Sequence, residues 1–164
     1  SFVGAVVILM TLATLAIAVL IIIWTFRAMK NAEYNGRYNG RFTPGWGIAG
    51  WLIPCANLVI PILIFQDLWR GSDPDVAKGD PNWRQARGSA LVGWWWGAYL
   101  LSAFRFGFGN SGDETRTRSD LRGLRQADSI GVVGLLASIV AAILLTRVLR
   151  HIVARQEVTR DRVY

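Results

Sequence analysis

Hydrophobic and polar residues fall along this chain in long blocks instead of a periodic stripe. Four apolar stretches without a single charge run from Phe2 to Phe26, Gly45 to Gln66, Gly88 to Phe104 and Ser129 to Thr146. At ~1.5 Å rise per residue, each is long enough, or nearly so, to cross a hydrocarbon core of ~30 Å as a helix. Core helices of soluble proteins seldom reach this length without a charge. The blocks predict an all-α fold, an integral membrane four-helix bundle. It would form a single domain over residues 1–164, with spans at about 2–26, 45–68, 88–105 and 129–148 and a basic tail over 147–164.

The first span is too long for a signal-peptide core, and no basic segment precedes it. A membrane helix is the better reading. Trp24, Trp46, Trp69 and Trp94 sit at span ends, where amphipathic rings form interfacial belts. Antiparallel spans would place Trp24 and Trp46 at one face and Trp69 and Trp94 at the other.

Composition adds to this picture mainly through charge. A formal charge of +7 in a soluble chain would suggest nucleic acid. Here the basic residues flank apolar spans, where they meet anionic headgroups, and no nucleic-acid recognition motif accompanies them. With four crossings, the first and third loops hold nine Lys/Arg and the second loop plus the tail hold nine, so the positive-inside rule favours neither orientation. The basic helical continuation at Arg147, Arg150 and Arg155 favours both termini on the cytoplasmic side of a bacterial cytoplasmic membrane.

The second span carries the densest signal. Gly50, Pro54, Asn57 and Pro61 recur at intervals of four, three and four, which places them on one helical face. Each proline leaves a carbonyl one turn earlier without its donor. The expected result is a proline-kinked helix with a polar face at mid-membrane depth. That face either packs against a neighbour or lines a path for a cation, a headgroup or a small substrate.

A second candidate cluster comprises Trp24, Arg27, Asn31, Asp67, Trp69 and Arg70 at span ends. Antiparallel crossing puts Arg27 level with Arg105 and Asp128, and puts Asp67 at the opposite face near Arg70 and Arg87. Small residues at Gly93 and Gly97 in the third span, and at Gly134 and Ser138 in the fourth, allow close helix approach. These are the candidate faces for association with another subunit or a second copy.

Catalytic chemistry is sparse. The only histidine, His151, lies beyond the fourth span, and the only cysteine, Cys55, has no base within its own helix. No residue spacing fits a metal, a haem or a phosphate-cradling loop, so no cofactor is expected. The expected function is a non-enzymatic structural or accessory subunit, or a scaffold, within a larger membrane complex. The alternative is a small oligomeric channel or transporter-like module built on the proline-rich face, with a lipid-acting enzyme as a distant third.

The run Trp24…Arg27…Asn31-Ala32, then Pro44-Gly45-Trp46…Gly50-Trp51…Pro54…Asn57-Leu58…Pro61, then Asp67-Leu68-Trp69-Arg70, resembles the bacterial membrane family known as domain of unknown function 4328. The resemblance covers nearly the whole chain. It implies a multi-pass membrane protein of largely actinobacterial distribution and no established activity. It also implies a proline-rich segment ahead of the first span, for which the start at Ser1 leaves room. Cys55 departs from the larger or β-branched apolar residue usual there, which argues against giving it a role.

Overall fold

In the computed structural model, which describes residues 2–108 and 121–161, all regular structure is helical. Among the described residues there are six α-helices and no strand: α1 (Phe2–Tyr34), α2 (Trp46–Leu52), α3 (Pro54–Asn57), α4 (Ile60–Gly71), α5 (Ala90–Phe108) and α6 (Leu121–Asp161). One 3-10 turn, Trp83–Gln85, lies between α4 and α5. Among the described residues, two stretches are long and apolar enough to cross a membrane: Gly4–Tyr34 in α1 and Val132–Val158 in α6. The chain divides into two compact units, Ser1–Gly88 with Ala154–Tyr164, and Ser89–Val153.

The stretch expected to cross as one kinked helix is instead three short ones, and the prolines explain why. Ile53 is extended (φ −85°, ψ 117°), as a residue before proline prefers, and Pro54 opens α3. Pro61 sits in the first turn of α4, where its missing N–H costs nothing. At ~1.5 Å per residue, α2 is ~10 Å long and α4 ~18 Å, so neither leg reaches across a ~30 Å core.

Nor does the segment run on in one direction. α2 contacts both α1 and α4, forming a helical hairpin whose turn is α3. Glycines make the close approaches. A Cβ on Gly47 would lie 3.1 Å from the Phe26 backbone nitrogen, and one on Gly50 would lie 2.7 Å from Ile60 Cγ2. Phe65 and Ile64 fill the space between the helices, with the Trp24 ring 5.7 Å from that of Phe65. The hairpin turn itself is apolar and exposed: Leu52, Ile53, Leu58 and Val59.

Both ends of the hairpin therefore lie together, at the C-terminal end of α1. Arg37 bonds Gly71 there, and Trp83 Nε1 donates to the Tyr38 carbonyl at 2.8 Å. A Cβ on Gly36, whose φ is +79°, would meet the Gly79 nitrogen and Lys78 Cγ at 3.0 Å. The last turns of α6 close on the same end. Gln156 Nε2 donates to the Ala28 carbonyl at 3.4 Å, and the Arg155 guanidinium lies 4.5 Å above the Trp69 ring. Trp69 thus shares an end with Trp24 and Trp46, which corrects the two-faced arrangement expected from four simple crossings.

In the second unit, Ser89 is buried just ahead of α5, and α5 buries Val92, Trp95, Trp96 and Ser102, with Trp96 stacked on Tyr99 at 4.9 Å. One face of α6 is also buried, through Gly134, Ala137, Ala141 and Val148. Trp94 points outward, and the positions a Cβ would occupy on Gly93 and Gly97 are open.

Candidate functional site

The polar centre of the first unit is a cap over the C-terminal ends of α1 and α4, made from residues 35–44 and 71–88. Its organising side chain is Arg37, only 2% exposed. The guanidinium donates through Nε to the Gly71 carbonyl (2.8 Å), through Nη1 to Ala77 (2.6 Å), and through Nη2 to Val76 (2.8 Å) and Asp73 (3.3 Å). A planar five-donor fork satisfies a turn of carbonyls as no ammonium could. Burial draws the Arg37 guanidinium below its ordinary value, opposed by the negative charges of Asp80 and Asp73.

Beside it lies the buried carboxylate of Asp67. Arg41 Nη2 reaches its Oδ1 at 3.4 Å and Arg70 Nη1 reaches the same oxygen at 3.5 Å. Arg70 also donates through Nε to the Ala86 carbonyl at 3.1 Å. Burial pushes the Asp67 carboxyl above the usual carboxylate value, while Arg41, Arg70 and Arg84 and a backbone hydrogen bond from Arg41 pull it back. Asp67 at this helix end is therefore not the solvated group a terminal aspartate usually is.

Arg37, Arg41 and Asp67 line a cavity of about 360 Å³. Its polar side adds Glu33, Tyr38 and Thr43, and its apolar side Met29, Ala32, Phe42, Ile64, Leu68 and Trp83. Among the described residues no group of three His, Cys, Asp or Glu side chains gathers as a metal site would require.

The expected clusters are regrouped. Asp67 and Arg70 pair as their spacing suggests, and Trp24 and Trp69 lie at the same end, but Arg27 and Asn31 are exposed. Placing Asp67 on the face opposite the loop after α1 is corrected by its ion pair with Arg41 from that very loop. Arg105 and Asp128 lie outside the residues whose side chains are described.

The stripe on the second apolar segment is split by the hairpin. Gly50 and Pro61 are buried, whereas Pro54 is exposed at the turn. Asn57 Oδ1 is buried there with no hydrogen-bond partner among the described residues. Of the small residues, Gly134 is buried and Ser138 donates back to the Gly134 carbonyl at 2.8 Å, while Gly93 and Gly97 stay open.

Comparison with known families decides one point. The model of the family described as domain of unknown function (DUF4328) matches residues 1–154. The chain belongs to the DUF4328 family. No curated protein and no solved structure matches it. The cap that defines the site falls wholly within the family match. Arg37 and Arg41 do not stand out in the sequence because both sit in a loop whose Asn-Gly pairs read only as turns. Asn39, with φ 62°, and Gly36 are such turn residues.

Proposed function

We propose that this DUF4328 protein is a non-enzymatic subunit of a membrane complex, held by three crossings and a re-entrant hairpin. The crossings are α1, α5 and α6, with α5 at ~28 Å just long enough. The hairpin dips into the bilayer and returns to the cap. An odd number of crossings puts the two termini on opposite faces.

This topology changes the charge count. Thirteen of the eighteen Lys/Arg then flank the cap and five lie on the other side. The positive-inside rule, silent for four crossings, now favours a cytoplasmic cap and C-terminus.

The observation that carries the subunit reading is the hairpin turn. Its backbone is interrupted at Ile53 and again near Val59, yet the side chains around both breaks are exposed and apolar. Non-helical backbone at membrane depth is tolerated where protein or water covers it, not lipid. A second chain, a copy or a different subunit, supplies that cover. The open face at Gly93 and Gly97 offers a further place for helix contact. A photo-crosslinking residue at Leu58, activated in native membranes, should yield a discrete protein adduct. Adducts with lipid alone, together with a monomeric mass in detergent, would end this reading.

Asn57 favours one second reading. Its side-chain oxygen is buried without a partner among the described residues, beside a break in the helical segment, and broken membrane helices are where ions are often coordinated. Ion flux in proteoliposomes that disappears in Asn57→Leu would support an oligomeric channel.

A further inference from the structure

We propose that the cavity beneath the 35–44 loop is a binding site for a phosphate-bearing anion, the headgroup of an anionic lipid, with Arg41 as the principal ligand. The choice of a lipid as its source rests on the cytoplasmic placement of the cap proposed above.

Positive charge crowds a single acid at the cavity wall. One carboxylate, Asp67, is shared by two guanidiniums on a single oxygen, at 3.4 and 3.5 Å. Both distances exceed the 2.7–2.9 Å of a well-made charge-assisted hydrogen bond. Arg84 adds a third positive charge acting on the same group. Glu33, the other acid at the cavity wall, already has Lys30 at 3.6 Å. Around Asp67 the guanidiniums of Arg41, Arg70 and Arg84 outnumber its single negative charge; Arg41 is the one of the three that lines the cavity, so the anion would meet the excess through Arg41.

Arg37 does not fill this role, because its donors are engaged by the carbonyls of Gly71, Asp73, Val76 and Ala77. Arg41 differs: its side chain is 39% exposed, and its ion pair with Asp67 is made by Nη2 alone, at 3.4 Å. Four further N–H donors of its fork remain for a phosphate, whose oxygens match that geometry.

The rest of the cavity suits an amphiphile. Met29, Phe42 and Ile64 give it an apolar wall continuous with the ends of α1 and α4. A volume of about 360 Å³ takes a headgroup and the first part of its tail, not a whole lipid. The cytoplasmic leaflet is the anionic one, so the proposed orientation brings this cavity to its ligand.

Trp83, one of eight tryptophans, lines the cavity, so binding is read by isothermal titration calorimetry and not by intrinsic fluorescence. The full chain in a neutral maltoside detergent would be titrated with dioctanoyl phosphatidylglycerol, dioctanoyl phosphatidylcholine and inorganic phosphate. The expected result is saturable binding of phosphatidylglycerol at least tenfold tighter than phosphatidylcholine. Arg41→Gln should weaken it at least tenfold, and Ala32→Phe, which fills the cavity without touching an ion pair, should abolish it. If Arg41→Gln fails to fold, Ala32→Phe decides. Inorganic phosphate binding as tightly as the lipid, with the same loss in the variants, would keep the anion site and make its ligand a soluble phosphate. Equal affinity for the two lipids, no binding, or indifference to both variants would overturn the proposal. The subunit reading is tested at Leu58 instead, so either can fail alone.

Discussion

The Nε of Arg37 donates to the carbonyl of Gly71 at 2.8 Å, although a 22-residue apolar stretch without charge lies between them. Had that stretch crossed the bilayer, the two groups would stand ~30 Å apart. One hydrogen bond thus separates a crossing from a return.

Arg37→Ala should release the cap. It leaves four carbonyls without their donor, and hydrogen bonds to a charged group are worth about 1.5–3 kcal/mol each. Non-additivity reduces the sum, and a loss of about 3–5 kcal/mol is expected for four carbonyls left without their donor. Arg37→Lys should recover little, since an ammonium cannot span the same carbonyls. Thermal unfolding in detergent, with proteolysis of residues 72–88, measures both.

Gly50 should tolerate no side chain while Ile60 faces it. Gly50→Ala puts a Cβ 2.7 Å from Ile60 Cγ2, an overpacking that costs about 1–3 kcal/mol. Ile60→Ala in the same chain should relieve part of that cost. A double-mutant cycle on thermal stability reads the coupling. Additive effects would mean that the two hairpin legs do not meet there.

Much of this architecture was legible from composition blocks alone. The apolar stretches of α1 and α6 announced themselves by length, and Pro54 and Pro61 announced a disturbed helix. What the residues did not announce was direction. An apolar run interrupted by prolines is compatible with a kinked crossing and with a hairpin, because the prolines fix where the helix breaks and not the direction the chain takes afterwards. The choice lies in contacts over more than thirty residues, Arg37 to Gly71 and Trp83 to Tyr38, and no local spacing encodes them. Asp67 was visible as a candidate through its spacing to Arg70, whereas Arg41 reaches it only once the hairpin has closed.

Asn57→Leu should leave the stability of the isolated chain within about 0.5 kcal/mol of the original, because the oxygen it removes has no partner among the described residues. Assembly should suffer instead, by the modest amount of about 0.6 kcal/mol typical of a membrane hydrogen bond. Unfolding in detergent and native electrophoresis of the complex separate the two effects. A large loss of monomer stability would show that the amide serves the fold itself.

The two small-residue faces should respond differently. Gly97→Leu adds bulk over open space and should weaken assembly without disturbing the monomer. Gly134→Leu adds it at a buried position and should destabilise the chain by about 1–3 kcal/mol. Native electrophoresis beside thermal unfolding distinguishes them, and identical behaviour of the two variants would contradict the assignment.

The most direct test of the re-entrant hairpin is sidedness at Gly40 and Lys78. Single cysteines at each position, in a Cys55→Ala background, would be labelled with a membrane-impermeant maleimide in intact spheroplasts and in inside-out vesicles. Both positions should label from the same face, the cytoplasmic one, and so only in inside-out vesicles. Labelling of Gly40 and Lys78 from opposite faces would show that the segment between them crosses the membrane, and would contradict the hairpin.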